Sequence, residues 1–212
     1  MARLPFPPVV LGIAGASGSG KTRLAAELAR ELSGVNFPLD NYYRDLAHLA
    51  PAERARQNFD DPALIEIPLL AAHMAALARG ETIERPLYDF STCIRNPDRT
   101  EAVRAGAFLL VEGLFALHYA ELLPLYHLRV YVDTPDEVCF ERRLRRDMEE
   151  RGRTAESLRQ QYEATVRAAI VQWVRPSAAH ADLTLDGTAA LDWKVEQVLA
   201  AMRGRGLLQM QA

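Results

Sequence analysis

The sequence predicts a three-layer α/β/α fold with a mainly parallel sheet, and three observations carry that expectation. Short apolar runs rich in β-branched residues alternate with segments whose apolar residues recur at helical spacing. Such strand-then-helix alternation builds a parallel sheet covered on both faces. A glycine-rich loop, Gly15-Ala16-Ser17-Gly18-Ser19-Gly20, joins the first apolar run to the first helical segment. The 212 residues contain no internal repeat, low-complexity tract or linker, so one domain over residues 1–212 is expected. A chain of this length buries about 70% of its unfolded surface and needs no staples.

The elements follow in order. Val9-Val10-Leu11-Gly12-Ile13 reads as the first strand. Leu24, Ala25, Leu28, Ala29 and Leu32 mark a helix that starts at Lys21 and stops at Ser33-Gly34. Residues 35–40 predict a second short strand with Asp40 at its end. Asp61-Pro62 predicts an N-cap with proline at the first helical position, and a helix through Leu64, Leu69, Met74 and Leu77 to Gly80. Residues 82–86 and 99–103 predict a hairpin inside an insertion over about 82–104. Residues 107–112 form a buried strand ending at Glu112, and residues 128–132 repeat the pattern up to Asp133-Thr134-Pro135. Helices are expected from there to Glu150, over 155–174 and over 189–202, with a last strand at 183–185.

Composition narrows the function. With 49% hydrophobic and 25% charged residues the chain has globular rather than disordered usage. A net charge of −3 gives no general attraction to nucleic acid or anionic membrane. Cys93 and Cys139 match no metal-ligand spacing, and the five histidines are scattered, which argues against zinc. Apolar runs such as 108–111 and 69–72 are far too short to span a bilayer. Residues before Val9 do not read as a signal peptide, so a cytoplasmic protein is expected.

Gly15 to Thr22 satisfy the phosphate-loop pattern G-x-x-x-x-G-K-[ST]. Backbone N–H groups converge on phosphate oxygens only where glycine removes a colliding Cβ or allows positive φ. The helix from Lys21 aims its positive dipole end at the same phosphates. Lys21 then reaches the β- and γ-phosphates, and the Thr22 hydroxyl ligates Mg²⁺. The pattern predicts a P-loop NTPase fold. No guanine-reading Asn-Lys-x-Asp segment occurs, which excludes a GTPase switch, and motor or transporter ATPases are usually longer.

A kinase needs an acceptor side as well. Ligands of open parallel sheets bind beyond the carboxyl ends of the strands, which places Asp40 near the γ-phosphate. There it can accept the proton of an attacking hydroxyl, or else it only caps a turn. Glu112, also at a strand end, can hold Mg²⁺ through water with Thr22 and Asp40, or else it is an exposed loop acid. Arginines 142, 143, 145, 146, 151 and 153 are the one dense cationic block. They are either a solvated helix face or a clamp on transition-state charge.

Together these segments resemble the uridine kinase (uridine-cytidine kinase) family, in the group that includes phosphoribulokinase. The likeness covers about residues 9–187. It rests on the glycine loop, Leu39-Asp40-Asn41-Tyr42-Tyr43, Asn58-Phe59-Asp60-Asp61-Pro62, Pro86-Leu87-Tyr88-Asp89-Phe90 with Arg95, and Val111-Glu112-Gly113. Arg146-Asp147, Arg151-Gly152-Arg153, Gln161-Tyr162 and Pro176-Ser177 complete it. The resemblance implies that Asp40 is the base for a nucleoside 5′-hydroxyl. Asp60 would bind the ribose with Arg153 and Gln161, and Tyr88 would pack on the pyrimidine with Arg95 nearby. Arg143, Arg146 and Arg151 would belong to an arginine-rich helical lid over about 142–154, closing on the phosphates with Lys21. Without the resemblance, Tyr88 reads equally as a core aromatic.

Two departures stand out. Cys93 occupies the position where the family usually has a histidine on the base edge; a thiol is a weak donor and acceptor. That predicts an altered or relaxed pyrimidine preference, unless a water or backbone group takes over. Ala168 replaces a usual proline and looks structural.

The sequence therefore predicts a kinase that uses ATP (or GTP) and Mg²⁺ to phosphorylate the 5′-hydroxyl of uridine or cytidine. The alternatives are another hydroxyl acceptor on the same fold, a sugar phosphate or other riboside, and a non-catalytic ATP-binding regulator. The expected partner is a small-molecule nucleoside, with no nucleic acid and no membrane. The resemblance adds a homo-oligomer, commonly a tetramer.

Overall fold

Side chains alternate faces along a strand, so a strand buried at every residue must be covered on both sides. The computed structural model describes residues 7–54 and 56–209. Among them the strands are β1 (Val9–Ala14), β2 (Val35–Pro38), β3 (Thr82–Asp89), β4 (Ile94–Arg104), β5 (Phe108–Glu112), β6 (Leu128–Asp133) and β7 (Leu183–Asp186). The helices are α1 (Lys21–Glu31), α2 (Pro51–Arg54), α3 (Ile67–Ala78), α4 (Asp136–Arg151), α5 (Ala155–Gln161), α6 (Arg167–Ala169) and α7 (Leu191–Gly204). Five strands form one parallel sheet in the order β2-β5-β1-β6-β7, and β3 and β4 form a separate antiparallel hairpin.

The alternation sorts the core into two layers. Val9, Leu11 and Ile13 of β1 pack with Leu24 and Leu28 of α1 and with Val195, Val198 and Met202 of α7. Val10 and Ala14 face the other way, toward Leu70, Met74 and Leu77 of α3 and toward Val166, Ile170 and Val174. Each fully buried aliphatic side chain here contributes about 1.5–3 kcal/mol. The three-layer parallel architecture read from the sequence is the one observed.

Local departures have identifiable causes. The helix expected from Pro62 is divided. Asp61 accepts a hydrogen bond from the Ala63 N–H at 2.8 Å, but the turn it caps ends at Leu64. Ile65 then bridges to Tyr43, and α3 starts at Ile67. Pro68 explains the break, since it cannot donate to Leu64 and its ring would clash there. The hairpin strands are longer than expected and meet at a tip over residues 90–93. Their pairing slips between Pro86 and Tyr88, beside a proline that lacks an N–H. The helical run expected over 155–174 exists but widens into π-turns at Tyr162–Val166 and Ile170–Val174. No helix among the described residues is long and apolar enough to cross a membrane.

Candidate active site

Parallel strands put all their carboxyl ends on one edge, and the register fixes which residues meet there. Glu112 pairs with Pro38 of β2 on one side and with Ile13 of β1 on the other. Asp40 follows β2 in a short turn over Leu39–Tyr42, and the glycine loop follows β1. The edge thus gathers Asp40, Glu112 and the loop without any long-range adjustment.

The loop is shaped by its glycines and by α4. Gly18 sits at φ +89°, and a Cβ on it would stand 2.3 Å from the carbonyl oxygen of Cys139 in α4. Gly20, at φ 96°, turns the chain into α1. The Ser19 N–H donates to the Ala16 carbonyl at 3.0 Å, and Thr134 Oγ1 donates to the Ser19 carbonyl at 3.2 Å. Lys21 is buried and folds back over the loop, with Nζ 3.4 Å from the Ala16 carbonyl oxygen. Arg142 donates to the carbonyls of Gly18 and Gly187, each at 3.3 Å, closing the far side of the loop. Gly15, Ala16, Ser17, Gly18, Ser19, Gly20, Lys21 and Thr22 thus form one bounded cradle at a helix N-terminus.

Glu112 is 3% exposed, which excludes an exposed loop acid. Its Oε2 accepts from Thr22 Oγ1 at 3.0 Å. Burial raises its pKa to about 7; Lys21 and the Thr22 hydroxyl pull it down, while the charge of Asp40 pushes it up. A carboxylate so short of water, with a hydroxyl and a second carboxylate beside it, is a hard-oxygen set that fits Mg²⁺. No group of three or more His, Cys, Asp and Glu able to hold a metal occurs among the described residues.

A cavity of about 560 Å³ opens over this edge. Ser17, Lys21, Thr22, Asp40, Asp60, Cys93, Arg143, Arg146, Arg151, Arg153 and Gln161 line it, so the structure brings these sequence-predicted residues together. Asp60 is 2% exposed and receives both nitrogens of the Arg143 fork, at 2.8 and 3.0 Å. Burial works against the Arg143 charge, but Asp60 and then Asp147 restore it and hold its pKa above the ordinary value. Arg143 therefore holds Asp60 with its whole fork. Arg146 reaches the phosphate loop, with Nη2 3.3 Å from Ser17 Oγ. Arg151 lies over the Phe90 ring at 4.6 Å, and Arg153 donates to Gln161 Oε1 at 2.6 Å. Arg142 and Arg145 are exposed, but every arginine of the block except Arg145 has a fixed partner, so the block is an organised wall and not a solvated face.

Two expected residues lie elsewhere. Tyr88 does not line the cavity. It packs behind Phe90, Tyr43 and Phe59, with ring centroids 5.0, 5.5 and 6.3 Å away, and its buried hydroxyl has no partner. Burial also raises the Tyr88 pKa well above the ordinary phenol value. Arg95 is likewise behind the wall. It pairs with Glu66 at 2.6 Å and donates to the Tyr43 carbonyl at 2.8 Å, stapling the hairpin to the segment that carries Asp40. Phe59, Phe90 and Tyr43 line the cavity instead, and sequence reasoning missed them. For Phe90 the available signal was its i, i+2 spacing from Tyr88. Asp147 was missed as well, although arginines at i−4 and i+4 were a visible cue.

Comparison with known proteins places the chain in a family. The Phosphoribulokinase / Uridine kinase family matches residues 10–192. A uridine kinase from Chloroflexus aggregans is 38% identical over 207 residues, covering 94% of this chain and 99% of that protein. A uridine kinase from Vibrio cholerae is 39% identical over 183 residues, covering 82% and 85%. In fold, phosphoribulokinase from Rhodobacter spheroides superimposes with a TM-score of 0.60 at 15% identity, over 86% of this chain and 73% of that one. The chain belongs to the phosphoribulokinase/uridine kinase family.

Proposed function

We propose that the protein transfers the γ-phosphoryl group of ATP to the 5′-hydroxyl of uridine or cytidine. One observation carries the reading: Ser17, Lys21 and Thr22 of the phosphate loop, an edge carboxylate and an aromatic wall with a buried second carboxylate share a single cavity.

Asp40 accepts the proton of the attacking hydroxyl as the new O–P bond forms and the bond to the departing ADP breaks. Asp60 keeps lone pairs free beyond its two bonds to Arg143, and ribose hydroxyls can donate to them in charge-assisted bonds. Arg153 and Gln161, already bonded to each other, close the ribose side. Phe59, Phe90 and Tyr43 offer flat faces to a pyrimidine. Lys21, Arg146 and Arg151 face the charge that spreads over the transferred group. Mg²⁺, held by Thr22 and Glu112 with Asp40 beside them, would neutralise and orient the phosphates. The partner is a small-molecule nucleoside.

The test is ADP release from MgATP with uridine, cytidine, a purine nucleoside, nicotinamide riboside and ribulose 5-phosphate, and with no acceptor. Turnover confined to the pyrimidine nucleosides is expected. Silence with both pyrimidines would overturn the acceptor assignment while leaving the phosphate loop in place. A parallel run with MgGTP settles the donor.

A further inference from the structure

Asp147 is fully buried, in the last turns of α4, and three arginines converge on its carboxylate. Arg146 approaches within 2.8 Å, Arg151 within 3.4 Å and Arg143 within 3.7 Å. Helical spacing brings two of them there, since residues four before and four after share one face. A buried carboxylate needs such partners to offset its lost hydration, and the guanidinium groups in turn need it to lie so close together. Burial and the neighbouring Arg146 already press the Arg151 pKa below its ordinary value.

The three arginines leave Asp147 in three directions. Arg146 reaches Ser17 Oγ in the phosphate loop at 3.3 Å. Arg143 grips Asp60 on the acceptor side at 2.8 and 3.0 Å. Arg151 covers Phe90 of the aromatic wall at 4.6 Å. One buried carboxylate therefore sits between the nucleotide end and the nucleoside end of the cavity, touching neither.

We infer that Asp147 is a positioning residue that couples the two ends: by anchoring Arg143, Arg146 and Arg151 together, it makes nucleoside binding depend on the nucleotide. A nucleotide phosphate that draws on Arg146 redistributes the charge on Asp147, and Arg143 and Arg151 respond at Asp60 and Phe90. Linkage makes the effect reciprocal. The inference rests on the kinase reading above.

The experiment compares wild type with Asp147→Asn, a nearly isosteric change that removes the charge. Uridine affinity is measured by calorimetry with and without a saturating non-hydrolysable MgATP analogue. Wild type is expected to bind uridine at least about fivefold tighter with the analogue, within the usual range of coupling. Asp147→Asn should bring that ratio below twofold, and Asp147→Glu should recover part of it. A merely structural residue would lower the melting temperature and leave the ratio intact. A retained ratio in folded Asp147→Asn, or no ratio in wild type, overturns the inference. If Asp147→Asn does not fold, Arg146→Gln cuts the link to Ser17 with Asp147 in place. It must then abolish the same coupling, and a retained ratio overturns the inference equally. Turnover by wild type with uridine or cytidine separates the two claims. Its absence rejects the acceptor assignment and this inference with it, whereas coupling unchanged in an active background rejects Asp147 alone.

Discussion

Replacing Glu112 by glutamine removes the buried carboxylate at the sheet edge while keeping an acceptor for the Thr22 hydroxyl. In the folded protein burial lifts the Glu112 pKa from an ordinary 4.5 to about 7. At roughly 1.4 kcal/mol per tenfold change, that rise corresponds to about 3 kcal/mol. The folded pKa lies above the unfolded one, so between them the folded state holds more protons. The stability this provides is fully present below about pH 4.5 and is lost as pH rises through about 7. Glu112→Gln has no such group, so its stability relative to wild type should rise by about 3 kcal/mol between pH 4.5 and 8. Urea unfolding of both proteins in chelator, at several pH values across this window, measures the difference. A pH-independent difference, within about 1 kcal/mol, would refute the raised pKa and the burial argument behind it. A second readout follows from the same protonation. Binding MgADP at pH 7 should release about half a proton in wild type and none at this site in the variant. Calorimetry in two buffers of different ionisation enthalpy detects it.

The other predictions concern the acceptor side. Asp40→Asn should lower kcat by about 10²-fold or more with little change in ATP affinity, since general-base contributions run at 10²–10⁴; near-normal turnover removes Asp40 from that role. Cys93 lines the cavity at φ 56°, a conformation that histidine tolerates better than most residues. Cys93→His should therefore fold normally and sharpen the ratio of kcat/KM between uridine and cytidine, and an unchanged ratio would make the cysteine a neutral replacement. Tyr88→Phe should leave the uridine KM within about twofold and stability undiminished, because the hydroxyl it removes is buried without a partner. A large rise in KM would instead put the Tyr88 hydroxyl on the substrate.

What the sequence revealed and what it hid divide along one physical line. The glycine loop, Thr22, Asp40 and Glu112 were legible because strand ends in a parallel sheet share an edge, so local pattern alone places them. The start of α3 was misplaced because the Asp61-Pro62 cap is a strong local signal, and the veto comes from Pro68, six residues on. Tyr88 and Phe90 stand two apart at the end of a strand and the start of its tip. Alternation would put both rings on one face, but β3 ends at Asp89, so Phe90 belongs to the tip and is free to turn to the cavity while Tyr88 stays behind it. Arg95 was drawn to the site by resemblance, yet its partners, Glu66 and the Tyr43 carbonyl, come from another part of the chain. Its charge is spent on holding the wall.

The arginine block shows why charge counting stops short of mechanism. As a sequence feature, residues 142–153 form one cationic patch that a phosphate would visit indiscriminately. In the structure five of its six arginines, all but exposed Arg145, have a separate address: Arg142 at the loop carbonyls, Arg143 at Asp60, Arg146 at Ser17, Arg151 over Phe90 and Arg153 at Gln161. Three of the five meet at one carboxylate that water does not reach. In the proposed reaction, holding Arg146 and Arg151 in place before substrate arrives would lower the reorganisation needed when negative charge spreads in the transition state, where pre-set dipoles and ions act most strongly. Four of the five arginines, Arg142, Arg143, Arg146 and Arg151, stand on α4, and all of the four but Arg142 line the cavity. What closure can still add is exclusion of water, at the rim where Arg54 donates to the Thr92 carbonyl at 3.0 Å and ties α2 to the hairpin tip.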